Sequence, residues 1–384
     1  MLEQLSPIED EIIKIRRHFH ENPEISFKEV NTPKYISEYL TKLGVEHKTE
    51  VGGRGVVAYI KGYESGKCVA LRADFDALPM QDEKDVSYKS KIDGVMHACG
   101  HDGHTASLLG VANVLSKNTN KFKGEVRLIF QHAEELSPGG AISMVKDGCL
   151  NGVDAVFGVH LSSGIELGNA GYTYGPVMAN ADDFTVEIKG KGGHAATPHL
   201  TIDPIIICTN IIQSFQQIVS RKVDPLEPAV ISTCKFIAGS AFNIIPENAL
   251  LEGTVRTYSD EAQSLIIEEM ERVIKTECEK VGATYNFRYG KGYPAVINHE
   301  KETKLFKEVL DSQGIKTELK KPQMGGEDFS YYVREVPGAF LFIGSSSGPS
   351  TSFPHHHPKF DIDEKALLNS AKGLLGTALK FLED

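Results

Sequence analysis

The sequence has no low-complexity tract, no internal repeat and no Pro/Gly/Ser-rich linker. With 41% hydrophobic and 24% charged residues it is expected to fold throughout rather than stay disordered. It lacks an excess of positive charge: a formal net charge of -11 repels phosphate backbones and anionic headgroups, so no nucleic acid partner is expected. No uncharged apolar run approaches the ~20 residues that span a bilayer, and Met1 to Leu5 lacks the basic-then-apolar pattern of a leader. No membrane association is therefore expected, and a cytoplasmic location is. The apolar run Ile205 to Cys208 is followed by Asn210, Gln213, Gln216 and Gln217, and reads as a domain helix. Closely paired cysteines are missing too. The six, at positions 68, 99, 149, 208, 234 and 278, are scattered, as expected of reduced core residues. Cys99 alone sits among histidines.

A chain of 384 residues is long enough for two domains. Ser6-Pro7-Ile8-Glu9 reads as a helix start, with Ser6 as cap and Glu9 completing a capping box, and the helix is expected to stop near Asn22-Pro23. Val69 to Ala73, Val126 to Phe130 and Val153 to Phe157 are short apolar runs with helix-like or turn-like sequence between them, predicting an α/β fold with a mixed, partly parallel sheet flanked by helices. Each run leads into a polar cluster: Asp74-Phe75-Asp76, His132-Ala133-Glu134-Glu135, and His160. Open α/β sheets place ligands at such carboxyl ends. Near Ala179 the texture changes to the order β-α-β-β-α-β, ending with a strand from Thr284, which fits an inserted ferredoxin-like α+β domain. The expected boundaries are 1–178 and 292–384 for the catalytic domain and 179–291 for the insert.

The densest chemistry is His97-Ala98-Cys99-Gly100-His101-Asp102-Gly103-His104, where a thiol and several imidazoles offer soft and borderline ligands suited to zinc or a similar metal. A lone Cys-Gly-His reads first as a structural zinc knuckle or as a reduced cysteine beside surface histidines. A closed structural site, however, ordinarily uses a second cysteine pair, and none is nearby. The other candidates, Glu134-Glu135, His160 and His355-His356-His357, lie far apart in sequence and need a fold to bring them together. Adjacent Glu134 and Glu135 form either an exposed acidic loop or, beside a cation, a pair in which one carboxylate ligates and the other accepts a proton.

Arg72 to Pro79, Met96 to His104, Gly190 to His199 and Met324 to Phe329, in that order, resemble motifs of the aminoacylase/carboxypeptidase G superfamily of di-metal hydrolases. The resemblance covers about Arg16 to the C-terminus. It is strongest to the amidohydrolase branch, with hippurate hydrolase, plant auxin-conjugate hydrolases and bacterial N-acyl amino acid amidohydrolases. It implies two divalent metal ions per subunit (Zn, Mn, Ni or Co), held by Cys99, His101, Glu135, His160 and His356, the last because it stands two residues before Pro358. It implies Glu134 as catalytic base and Asp76 as the aspartate behind the metals. A lid that also forms a homodimer is implied for the insert, with His194 reaching the neighbouring site, and Asn243, Arg256 and Gly325 are implied in substrate binding. The activity implied is hydrolysis of a small N-acyl amino acid or related amide; a dipeptidase or metallocarboxypeptidase would use the same machinery. Two positions depart from the wider superfamily. Cys99 stands for a bridging aspartate and Asp74 for a histidine ligand, which leaves the metal open.

Overall fold

The computed structural model describes residues 1–383. These form two compact units: Met1–Val177, Val296–Pro322 and the chain from Asp328 onward make the first, and Met178–Ala295 with Gln323–Glu327 the second. Among the described residues no helix is long and apolar enough to cross a membrane.

In the first unit the three expected strands are Cys68–Asp74, Glu125–Gln131 and Ala155–Glu166. They are near-continuous apolar runs because they are buried on both faces, as central parallel strands are. Cys68–Asp74 lies between the other two and parallel to both, so all three carboxyl ends emerge at one edge. The full sheet has eight strands, in the order Glu46–Val51, Gly55–Lys61, Glu125–Gln131, Cys68–Asp74, Ala155–Glu166, Gly338–Ser346, Asn169–Tyr172 and Lys316–Leu319. It is mixed, with antiparallel pairings toward the Glu46 edge and at the Gly338–Asn169 contact. Helix His101–Ser116 is buried along almost its whole length and packs against Glu9–Glu21 and Lys365–Glu383. The core joins Val69 and Leu71 of the sheet to Leu108, Leu109, Leu374 and Leu375 of these helices.

The first helix starts later than its sequence signals predict. Ser6–Ile8 is a 3-10 turn, Ser6 caps nothing through its side chain, and the α-helix is Glu9–Glu21. Pro7 occupies the early part of that separate turn, so the capping box is not formed.

The second unit has strands Asn180–Lys189, Val230–Ala238, Asn248–Thr257 and Thr284–Tyr293, with helices Pro204–Arg221 and Asp260–Glu279. Its sheet is antiparallel, and the strands numbered along this unit lie in the order 4-1-3-2, the ferredoxin-like arrangement. Asp203 caps the first helix through the Ile205 N–H, and Ser259 caps the second through that of Ala262. Ile207, Ile211 and Phe215 meet Ile266, Met270 and Ile274 in a core of its own. The chain enters and leaves side by side: Ala181 pairs with Tyr293, and strand Gly175–Met178 with Val296–Asn298.

One buried cation ties the first unit together. Arg16, fully buried, donates to Asp102 and Asp361, each at 2.8 Å, and to Glu364 at 3.3 Å. Burial opposes the charge on Asp102, but Arg16 and His20 outweigh it and hold the carboxyl well below its usual range. Asp102 follows His101, and Asp361 follows the triple-histidine run, so this network fixes two segments that carry candidate ligands. Removing one partner of a buried pair leaves the others uncompensated, at about 3–5 kcal/mol. Arg16→Ala is accordingly expected to lose that much stability in chemical denaturation; a loss below about 1 kcal/mol would show that the network does not hold the fold.

Candidate metal centre

The site is assembled at the carboxyl edge of the sheet and at the start of the buried helix. Asp74 ends its strand and Asp76 follows; His132 to Glu135 form the turn after Gln131; His160 comes from the neighbouring strand. Gly100, at φ +97, occupies the left-handed region that glycine tolerates, and turns the chain from Cys99 into the helix beginning at His101.

Two imidazoles are fixed in the same manner. His101 donates from Nδ1 to the Asp76 carbonyl at 3.0 Å and its carboxylate at 3.2 Å. His160 donates from Nδ1 to the Leu161 carbonyl at 2.8 Å. Each ring thereby keeps Nε2 for another partner. His160 Nε2 lies 3.4 Å from Cys99 Sγ, and the donor atoms of Cys99, His101 and Glu135 all lie within 4.8 Å of one another. His356 Nε2 is 3.3 Å from Glu135 Oε2, and His101 Nε2 is 3.9 Å from Glu134 Oε2 and 3.8 Å from Glu135 Oε1. His356 itself sits at φ +62 and is exposed.

His101 Nε2 and Glu135 Oε1 are buried without a hydrogen-bond partner. A buried unpaired polar atom costs about 1–3 kcal/mol, so two of them pointing at a thiol and a further imidazole fit a cation between them. The donors, one sulfur, ring nitrogens and a carboxylate oxygen, are those of transition-metal sites. The electrostatics agree. Burial pushes the Cys99 thiol well up, with Glu135, Glu134 and Asp74 adding to it. Burial disfavours charge on His101, yet Asp74, Asp76 and Glu135 outweigh that and raise it to about 10. The protein alone thus stores protons where a bound cation would replace them.

A layer of partners stands behind these donors. Asp76 Oδ2 accepts the Ser26 hydroxyl at 2.6 Å and the Glu135 N–H at 2.9 Å, while Oδ1 faces His101. Asp74 is held by Arg72 at 2.6 Å and accepts from His104 Nδ1 at 2.6 Å. His104 Nε2 in turn accepts the Leu161 N–H at 2.9 Å, so both its nitrogens are committed. His104 therefore orients Asp74 instead of offering a free lone pair.

Two features escape the sequence. His355, beside the favoured His356, stacks on His160 with ring centroids 4.9 Å apart and offers a donor atom within 4.8 Å of those of Cys99 and His160; its Nε2 is buried and unpartnered. The resemblance favours His356 by its spacing from Pro358, and three identical neighbours carry no other sign of which ring turns inward. Ser26 lies in an ordinary polar loop without any motif.

The remaining candidates belong to the second unit. His194 is exposed and pairs with Ile244 across a two-residue ladder, and the Ala195 N–H donates to the Asn243 carbonyl at 3.1 Å, so His194 and Asn243 are neighbours. Arg256 donates to the carbonyls of Met324 at 3.1 Å, Asp182 at 3.2 Å and Val255 at 2.9 Å, and to the Thr254 hydroxyl. It thus fixes the residue before Gly325.

The sequence matches the model of Peptidase family M20/M25/M40 over residues 70–380, more than half the chain. It is 47% identical to the N-acyl-L-amino acid amidohydrolase of Geobacillus stearothermophilus, over 76% of this chain and 79% of that one. It is 43% identical to Thermostable carboxypeptidase 2 of Saccharolobus solfataricus (strain ATCC 35092 / DSM 1617 / JCM 11322 / P2), over 97% and 96%. Among solved structures, YXEP of Bacillus subtilis, described as a dinuclear metal binding peptidase from the M20 family, superimposes with a TM-score of 0.87 at 37% identity, covering 98% of this chain and 99% of that one.

Asp76 serves a candidate ligand and the backbone of another at once. Asp76→Asn, nearly isosteric, is expected to weaken metal affinity about 10–100-fold in a chelator competition. Unchanged affinity would remove Asp76 from the support of the centre.

Proposed function

The chain belongs to peptidase family M20/M25/M40, and from that premise we propose that it is a metal-dependent hydrolase that removes the acyl group from small N-acyl amino acids. The observation that carries this reading is the convergence of Cys99, His101, Glu135 and His160, with two buried donor atoms left unpartnered, beside a second carboxylate, Glu134. Cys99, His101, Glu135, His160 and His356 would hold two divalent ions. The thiolate and imidazoles favour zinc or nickel over Mn²⁺. Bound there, the ions supply Lewis acidity that polarises the scissile carbonyl and lets water lose a proton near neutral pH.

The chain's own residues do the rest. Glu134 takes the proton of the attacking water on its carboxylate and returns it to the departing nitrogen. Asp76 holds the His101 ring and the Glu135 backbone in register, so that the base and the ligand next to it keep distinct directions. The second unit, Met178–Ala295 with Gln323–Glu327, acts as the lid and dimerisation domain, and the first as the catalytic domain. His194 is assigned to the oxyanion of the partner subunit's site. Asn243, Arg256 and Gly325 are assigned to the substrate's carbonyl or carboxylate. Six unpaired cysteines support a cytoplasmic setting.

The carboxypeptidase name of one relative favours a second reading, in which the substrate is a short peptide. N-acetyl and N-benzoyl amino acids are expected to be turned over faster than free dipeptides in a side-by-side assay; the reverse order would select the peptidase reading.

Glu134→Gln is expected to keep its metal content and lose about 10²–10⁴-fold in kcat. Near-normal turnover in the metal-loaded variant would show that Glu134 is not the base. Mixed subunits carrying His194→Ala and Glu134→Gln, each poor alone, are expected to recover part of the activity as heterodimers. If verified heterodimers recover none, the site is not shared between subunits.

A further inference from the structure

Glu134 has to aim its carboxylate from a turn, and turns are the mobile part of most folds. Here the backbone on either side of Glu134 is pinned. The Ala133 N–H donates to Glu29 Oε1 at 2.9 Å, and the Ala133 carbonyl accepts the Gly140 N–H at 3.1 Å. The Glu135 N–H donates to Asp76 at 2.9 Å. Ala133 is at φ +52, a left-handed conformation that a residue with a Cβ adopts only when its surroundings impose it. Gly140 closes the same turn so tightly that a Cβ there would stand 2.0 Å from the His132 carbonyl oxygen.

Of these contacts, the one from Glu29 crosses from a separate loop, whose own Phe27 and Glu29 N–H groups the same carboxylate also meets. Glu29 is fully buried, and its second oxygen has no hydrogen-bond partner; Arg54 Nε approaches it only to 4.0 Å. Burying a carboxylate with half of it unsatisfied is costly, and a loop between two helices gains little from it. The loop is itself folded for the purpose. Phe27 is at φ +63, Ser26 donates to Asp76, and the Arg54 guanidinium donates to the Glu29 carbonyl at 2.5 Å. A single turn of chain therefore supplies Ser26 to one carboxylate clamp and Glu29 to the other.

We propose that Glu29 is a positioning residue for the hydrolysis: by accepting the Ala133 N–H it holds the left-handed turn that aims Glu134. This rests on the reading of Glu134 as the base. Glu29 touches neither substrate nor candidate ligand, and what it supplies is reach and an acceptor oxygen. Burial pushes its carboxyl up to about 7, and what the Ala133 N–H meets is a single acceptor oxygen at that reach.

Two conservative variants separate reach from charge. Glu29→Gln keeps the acceptor at the same reach and removes the charge; Glu29→Asp keeps the charge and falls a methylene short. In the metal-reconstituted full chain, Glu29→Gln is expected to stay within about threefold of the parent kcat. Glu29→Asp is expected to lose about 10–100-fold in kcat, as a misplacement near 1 Å does, with KM and bound metal unchanged. Hydrogen exchange over the His132–Glu135 turn is expected to rise in Glu29→Asp alone. Parent-like kcat in both variants, loss in both, or loss in Glu29→Gln alone overturns the proposal. So does failure of either variant to fold, which would make Glu29 a folding requirement. Glu134→Gln is measured in the same series. If it retains turnover, the base reading fails; if it loses turnover while Glu29→Asp does not, only the positioning role fails.

Discussion

A carboxylate removed from water has to be answered by cations or hydrogen-bond donors, and the first unit is organised around meeting that requirement several times within a few ångströms. Asp76 is answered by Ser26, His101 and the Glu135 backbone. Asp74 is answered by Arg72 and His104, and Asp102 by Arg16 and His20. Apart from Arg72, two residues from Asp74, the answers come from distant parts of the sequence, so the same contacts that neutralise buried charge also set the geometry of the centre. Glu135 and His101 keep atoms without an answer, unlike the neighbouring Asp74, Asp76 and His104.

That distinction explains why residues of one type do different jobs a few positions apart. His101 and His104 share a helix face, yet His104 has both nitrogens occupied and His101 has one to spare. Asp74 is committed on both oxygens: Arg72, which also reaches Asp328 at 2.9 Å, claims one, and His104 the other. A carboxylate paired with a buried guanidinium is a poor donor to a metal, whereas His101 Nε2, 3.7 Å away, has no hydrogen-bond partner.

The fold was legible where period and punctuation were strong. Apolar runs with polar ends marked Cys68–Asp74, Glu125–Gln131 and Ala155–Glu166, and the change near Ala179 to a β-α-β-β-α-β order marked the ferredoxin-like unit. The 3-10 turn at Ser6–Ile8 was not legible, because a capping box and a separate turn use the same residues. Within the centre, residue types pointed to Cys99, His101, Glu134, Glu135 and His160. They could not point to Ser26 or Glu29, whose significance lies in which backbone N–H or carboxylate each meets, and only the folded chain decides that. Nor could they order three consecutive histidines, since direction there depends on the left-handed turn at His356.

The side-by-side entry and exit of the ferredoxin-like unit has an evolutionary implication. The strands Gly175–Met178 and Val296–Asn298 are already hydrogen-bonded to each other, and Ala181 faces Tyr293 just beyond them. The long stretch between therefore behaves as a cassette whose two ends meet, with only Gln323–Glu327 returning to it later in the chain. Descendants of such a gene can vary this insert while the host sheet keeps its own strand pairings.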